Sequence, residues 1–177
     1  IKMSTKTGEM TPWTAGSNYS YGVVCNNKFY TAPVREFDPI KIISLEDNHI
    51  SKTINLPDTL WMKQQKYLYC YWYTKTFEDK IFFMPHEANG IIMLDLLTEE
   101  INIVNIDISD YKTARVKNNF GVYDVLQYED DYIIIPFQGN KIVIITGNGI
   151  IKEEIILETE SRYLNRSAYE SSQYNLE

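Results

Sequence analysis

The chain has 177 residues, enough for one domain with a sizeable core, and its composition of 44% hydrophobic and 23% charged residues excludes a disordered or fibrous class. Its 17 basic against 24 acidic residues leave a formal charge of −7, which argues against the clustered cations that a nucleic-acid partner requires. No apolar run reaches the ~18 residues of a membrane-crossing helix, so membrane insertion is not expected.

In chain order, residues 1–14 read as the end of a repeat unit, with Lys6-Thr7-Gly8-Glu9 at its turn. A strand-like run follows at 19–25, closed by Asn26-Asn27, and then an aromatic run that ends in Pro33. Two further apolar runs carry this first unit to about residue 57. The same order recurs over 67–108, around Pro85, and over 120–157, around Pro136. The three prolines are spaced 52 and 51 residues apart, which makes a unit of four short strands in about 51 residues. The tail 158–177 breaks the pattern. The whole, 1–177, reads as a single repeat-built domain. Because Ile1 falls inside a unit, the chain is expected to be a piece of a longer protein, and its compartment is left open.

Residue type as well as period favours strands over helices. The runs Lys80 to Met84, Ile91 to Leu97, Tyr132 to Ile135 and Lys141 to Thr146 are short, rich in β-branched and aromatic residues, and bounded by Gly, Asn, Asp or Pro. Their near-continuous hydrophobicity predicts strands covered on both faces. The last run of each unit alternates, as Ile101, Asn102 and Ile103 do, and is expected at a partly solvated edge. The expected fold class is therefore all-β, of four-stranded antiparallel units, a β-propeller or a fragment of one.

The segments around the prolines resemble the β-propeller repeats of kelch-like or related aromatic-Pro type, over about residues 19–157. The match is fullest at Ile81-Phe82-Phe83-Met84-Pro85, Asn89, Asp95 and Thr98. The first unit carries Ser44 and the third Thr146 at the turn where the second has Asp95, and the kelch Gly-Gly pair is absent. Pro33, Pro85, Pro136 and Asp95 are thus the repeat-defining positions. The resemblance implies an architecture and no particular activity.

The catalytic inventory is thin. His49 and His86 are the only histidines; neither falls in a zinc-binding spacing, and no nucleophile elbow, phosphate loop or dinucleotide fingerprint occurs. No cofactor and no metal site is expected. The neighbouring carboxylates Glu99-Glu100, Asp130-Asp131 and Glu153-Glu154 read as solvated turns rather than a glycosidase pair. Cys25 and Cys70 are compatible with a disulfide or with two thiols.

Aromatic residues carry the functional expectation. In 67–74, Tyr67, Tyr69, Tyr71 and Tyr73 are expected on one strand face with Leu68, Cys70 and Trp72 on the other, while Trp13 and Trp61 lie in nearby connections. His86 and Glu87 follow Pro85 where blade loops converge. The binding candidates are accordingly His86, Glu87, Trp61, Tyr67, Tyr71 and Trp72. They fit a noncatalytic binding scaffold whose partner is a protein or, second, a glycan. The alternatives are a glycan-active propeller hydrolase or lyase, and purely structural blades of a larger assembly. Self-association is expected if the propeller is incomplete.

Overall fold

The computed structural model describes residues 2–3, 7, 10–11, 21–61, 70–86, 88–107, 121–136 and 139–158, with Trp72 and the short strands of residues 2–3 and 10–11 described by their backbone alone. Lys2–Met3 (β1) and Met10–Thr11 (β2) pair as a short antiparallel hairpin. The remaining strands form three four-stranded sheets. The first holds Gly22–Cys25 (β3), Lys28–Thr31 (β4), Ile40–Ser44 (β5) and Ile50–Ile54 (β6). The second holds Tyr71–Thr76 (β7), Lys80–Pro85 (β8), Ile91–Asp95 (β9) and Ile101–Val104 (β10). The third holds Val122–Tyr128 (β11), Asp131–Pro136 (β12), Lys141–Thr146 (β13) and Ile151–Ile156 (β14). In each sheet spatial order follows chain order and every pair is antiparallel. The all-β class and the repeating four-stranded unit read from the sequence are what the chain adopts.

The equivalence of the sheets extends to their side chains. Counting back from Pro33, Pro85 and Pro136 makes Tyr30, Phe82 and Ile133 equivalent, and these pair with Ile42, Met93 and Ile144 on the third strands. Tyr30, Ala32, Ile40 and Ile42 of the first sheet pack on Ile81, Phe83, Ile92 and Leu94 of the second in one core cluster. Phe82, Met84, Ile91 and Met93, on the opposite face of the second sheet, pack on Tyr132, Ile134, Val143 and Ile145 of the third. Each interface therefore joins the same face of one sheet to the same opposite face of the next. Strand periodicity makes this unavoidable once the register is set, because neighbours along a strand point to opposite sides.

The arrangement explains which hydrophobic runs are continuous. β8 is buried at every position and β9 at every position but its last, because the middle sheet has a neighbour on each side. Across β12 and β13, by contrast, buried and half-buried residues alternate. The sequence-based expectation that 132–135 and 141–146 are covered on both faces is corrected here: Ile133, Ile135, Ile142 and Ile144 are half-buried and belong to neither core cluster. Among the described residues, no core cluster joins the first sheet to the third. The edge strands β6 and β14 are the most exposed of their sheets, as their alternation predicts.

Irregularities repeat as well. A bulge lies between Tyr71 and Tyr73 in β7 and between Val122 and Asp124 in β11, and a second bulge recurs opposite Ile42/Ile43 and Ile144/Ile145. The turn after each third strand includes a left-handed residue: Asn48 (φ 60°), Glu99 (φ 53°) and Gly149 (φ 77°). Asp95 Oδ1 accepts from the backbone N–H groups of Leu97 and Thr98, both at 2.9 Å, and from the Thr98 hydroxyl at 3.2 Å. At the equivalent positions Ser44 Oγ accepts from the Glu46 N–H and Thr146 Oγ1 from the Ile150 N–H. The apparent loss of the Asp in two units is a replacement of one side-chain acceptor by another. These hydrogen bonds hold the Asp95 carboxyl below the usual carboxylate range, the Thr98 N–H contributing most. Asp95→Ala is expected to cost about 1–2 kcal/mol in a urea titration, since three donors lose a partner in an exposed turn.

Aromatic packing closes the second interface. Phe82 lies 4.7 Å from Tyr132 and 5.5 Å from Phe77, and Phe77 lies 5.0 Å from Tyr132, all between ring centroids. Burial, and secondarily the charge of Asp79, push the Tyr132 phenol from its ordinary 10.0 up to about 12. In the unfolded chain the phenol returns to its ordinary value. Its contribution to stability is thus fully present below pH ~10 and is lost as the pH rises through ~12. Alkaline unfolding monitored with and without Tyr132→Phe is expected to show a larger loss in the wild type, the variant keeping only the losses from its other raised phenols, Tyr30 and Tyr71.

Candidate functional site

A four-stranded meander sends its second-to-third connection and its entering and leaving segments to one end of the sheet. Among the described residues, that end gathers 32–39, 55–61, Cys70, His86 and 88–90 beside the interface of the first two sheets. The two Asn residues of the β3–β4 hairpin, with φ of 48° and 58°, mark the opposite end. The loop end is tied together by main-chain hydrogen bonds: Cys70 N–H to Val34 O (2.7 Å), His86 N–H to Cys70 O (2.8 Å) and Asn89 N–H to Leu60 O (2.9 Å). Asn89 Nδ2 also donates to Thr59 O. Connections of both sheets are therefore fixed to one another, which is the rigidity a loop-built site needs.

Within this end, a 3-10 turn at Asp58–Leu60 delivers Trp61, whose N–H closes on Asp58 O at 3.1 Å. The Trp61 side chain is only 6% exposed and packs in the first core cluster with Leu60, Cys70, Tyr71 and Ala88. Its indole Nε1 is buried and finds no hydrogen-bond acceptor among the described residues. Phe37 stands against it edge-on, with ring centroids 5.9 Å apart. Phe37 is 64% exposed and adopts φ 64°, the left-handed region that costs an L-residue other than Gly or Asn about 1–2 kcal/mol. The tight turn Arg35–Asp38 imposes that conformation: Arg35 N–H donates to Asp38 Oδ2 at 2.9 Å, and Asp38 N–H to Arg35 O at 3.1 Å.

The residues singled out in the sequence fall differently. Trp61 and Tyr71 share the first core cluster, but Tyr71 is wholly buried and its hydroxyl donates to Gly90 O at 2.8 Å. Burial raises its phenol well above the ordinary value. The expected common face of Tyr71 and Tyr73 is corrected by the bulge at Trp72: Tyr71 sits opposite Pro85 and Tyr73 opposite Met84, which are adjacent residues on opposite faces, and Tyr73 is exposed. His86 is half-buried at the loop end directly after the buried Pro85. Glu87, Tyr67, Tyr69 and Trp13 lie outside the described residues, and of Trp72 only the backbone is described. Pro33, Pro85 and Pro136 are all buried, Pro85 and Pro136 as the last residues of β8 and β12 and Pro33 two residues after β4. Phe37 carries no signal in the sequence, since nothing in Arg35-Glu36-Phe37-Asp38 separates it from a loop residue that packs inward.

Other chemistry-bearing groups serve the sheet interfaces. Glu99, read from sequence as a solvated turn residue, is bonded through Oε1 to Lys28 Nζ, while its carbonyl accepts from Lys52 Nζ at 2.8 Å. It thereby latches the second sheet to the first, and the Lys28 ammonium is raised by that bond. Lys75 spans from the second sheet to Asp124 of the third at 2.7 Å. Buried Lys141 donates to Asp107 O at 2.6 Å and to Glu154 at 3.3 Å. Cys25 and Cys70 are not joined by a disulfide. Among the described residues no three His, Cys, Asp or Glu side chains gather as metal ligands, and no helix is long and apolar enough to cross a membrane. No protein-family model matches the chain, and no curated protein matches its sequence.

Proposed function

We propose that the chain is a noncatalytic binding scaffold of propeller blades, related in its repeat to the kelch-like or aromatic-Pro type, whose loop end takes a protein partner. One observation carries the reading: an exposed phenylalanine held in the left-handed region over a buried tryptophan. A ring in that position gains little for folding, because most of its surface is still in water. Backbone strain offset by so little folding benefit supports a residue kept for contact. An aromatic knob on a rigid base is also the usual anchor of a protein interface, since it offers area with few rotamers to immobilise. Trp61 supplies the base, and His86 lies at the same end with a group able to donate or accept.

The test is Phe37→Gly, which removes the ring and fits the backbone. The variant is expected to be at least as stable as wild type in urea, by up to about 1 kcal/mol. Panning a displayed peptide library is expected to enrich sequences on the wild type that the variant no longer holds. Equal enrichment by both proteins, or ligands found only on a glycan array, would overturn the reading.

A further inference from the structure

The interfaces between sheets obey a rule that, among the described residues, the third sheet leaves incomplete. The face that the first sheet turns to the second, and the second to the third, is made of Tyr30, Ala32, Ile40 and Ile42 and then of Phe82, Met84, Ile91 and Met93. The equivalent positions of the third sheet are Ile133, Ile135, Ile142 and Ile144, all apolar and all half-buried. Cross-strand pairing adds Leu126 beside Ile133 and Ile155 beside Ile142, 44% and 37% exposed. Six apolar side chains thus continue, in register, a surface that is covered twice over elsewhere in the molecule.

Charge at the rim says more about what covers it. Where the second sheet docks on the first, its left-handed turn residue Glu99 meets Lys28 and Lys52. Where the third docks on the second, the position of Lys52 is Asn102, and it meets an uncharged turn: Asn102 Nδ2 donates to Asn148 O, and Gly149 lies against Met93 and Val104. On the third sheet the positions of Lys28 and Lys52 are Asp131 and Glu153. Lys152 is bonded to Asp131 and also attracts Glu153, so one cation faces two carboxylates and the rim keeps a net negative charge. The turn after β5, which a second copy of this chain would bring to this rim, holds Glu46 and Asp47. It is acidic, and so mismatched.

We infer that the outer face of the third sheet docks a fourth four-stranded antiparallel sheet of the same repeat, from a blade other than those of this chain, whose turn after its third strand carries a Lys or Arg. The apolar face supplies adhesion, as it does at the two interfaces already formed, and the acidic rim selects the incoming turn. This inference stands apart from the loop-end site.

The experiment appends to the full chain, through a Gly-Ser linker after residue 177, a duplicate of residues 58–107, either unchanged or with Glu99→Lys in the duplicate. Each form is made in the native background and in Asp131→Lys/Glu153→Lys. Emission of the apolar dye anilinonaphthalene sulfonate reports the open face, and Ile144→Asp in the unextended chain checks that the dye binds there by abolishing its signal. The expected result is a several-fold loss of dye emission with a rise in Tm when the duplicate carries Lys and the rim is acidic. The unchanged duplicate is expected to do the same only on the lysine rim. Equal behaviour of all four proteins would overturn the inference. So would a dimer of the unextended chain that binds no dye, because a second copy would then be the occupant.

Discussion

Phe82→Ala is expected to destabilise the chain by about 3–5 kcal/mol, the largest effect of any single truncation in the second interface. Phe82 is fully buried, contacts Phe77 and Tyr132 through its ring, and lies on the sheet that is covered on both sides. Its removal leaves a cavity whose walls belong to two different sheets, so neither sheet can collapse into it without leaving its own register. The substitution should also let water reach Tyr132, whose phenol is then expected to fall from about 12 toward its ordinary 10.0. Urea unfolding gives the first quantity and ultraviolet titration the second. A loss under about 1 kcal/mol with an unmoved phenol would mean that the ring does not fill this interface.

Gly22→Ala is expected to be nearly as damaging for the opposite reason. A Cβ at Gly22 would lie 2.4 Å from the backbone oxygen of Tyr30 and 2.6 Å from the ring of Phe29. The Phe29 ring has some freedom to move, but the Tyr30 carbonyl is part of the β3–β4 pair and does not. One added methyl therefore forces strands apart, with an expected cost near the top of the ~1–3 kcal/mol range for overpacking. A melting curve for Gly22→Ala beside Gly90→Ala separates backbone from side-chain crowding. The Cβ at Gly90 meets mainly the Ile103 and Asn105 side chains, at 2.9 and 3.0 Å, which can give. A smaller loss at Gly90 is the expected outcome.

Much of this architecture is legible in the order of residues, and what is not has identifiable physical causes. The prolines mark equivalent points because Pro85 and Pro136 end the second strands of their sheets and Pro33 follows two residues after Thr31, where no ladder bond is needed from the missing N–H. Short β-branched runs between turn residues specify strands well, and four such runs per period specify the sheet. The alternation of Tyr71 and Tyr73 was misleading because a bulge inserts one residue, and no residue type between 67 and 77 announces it. The coverage expected of 132–135 and 141–146 exceeds what the described residues show because an apolar run records that a face is suited to burial, not that a neighbour is present. Glu99 shows the same limit from the polar side: adjacent acids in a turn look solvated until the lysines of another sheet arrive beneath one of them. Phe37 is visible only in space, through its backbone conformation and its contact with Trp61.

Equivalent faces of successive sheets pack in one direction, so that Phe82 points to the third sheet while Phe83 points to the first. Nuclear Overhauser spectroscopy on the aromatic rings and labelled methyl groups tests it most directly. Cross-peaks are expected from Phe82 to Tyr132 and from Phe83 to methyl groups of Ile40 or Ile42, with none between Phe83 and Tyr132. Cross-peaks from Phe83 to Tyr132, or from Phe82 to the isoleucines of the first sheet, would place the middle sheet the other way round and contradict it.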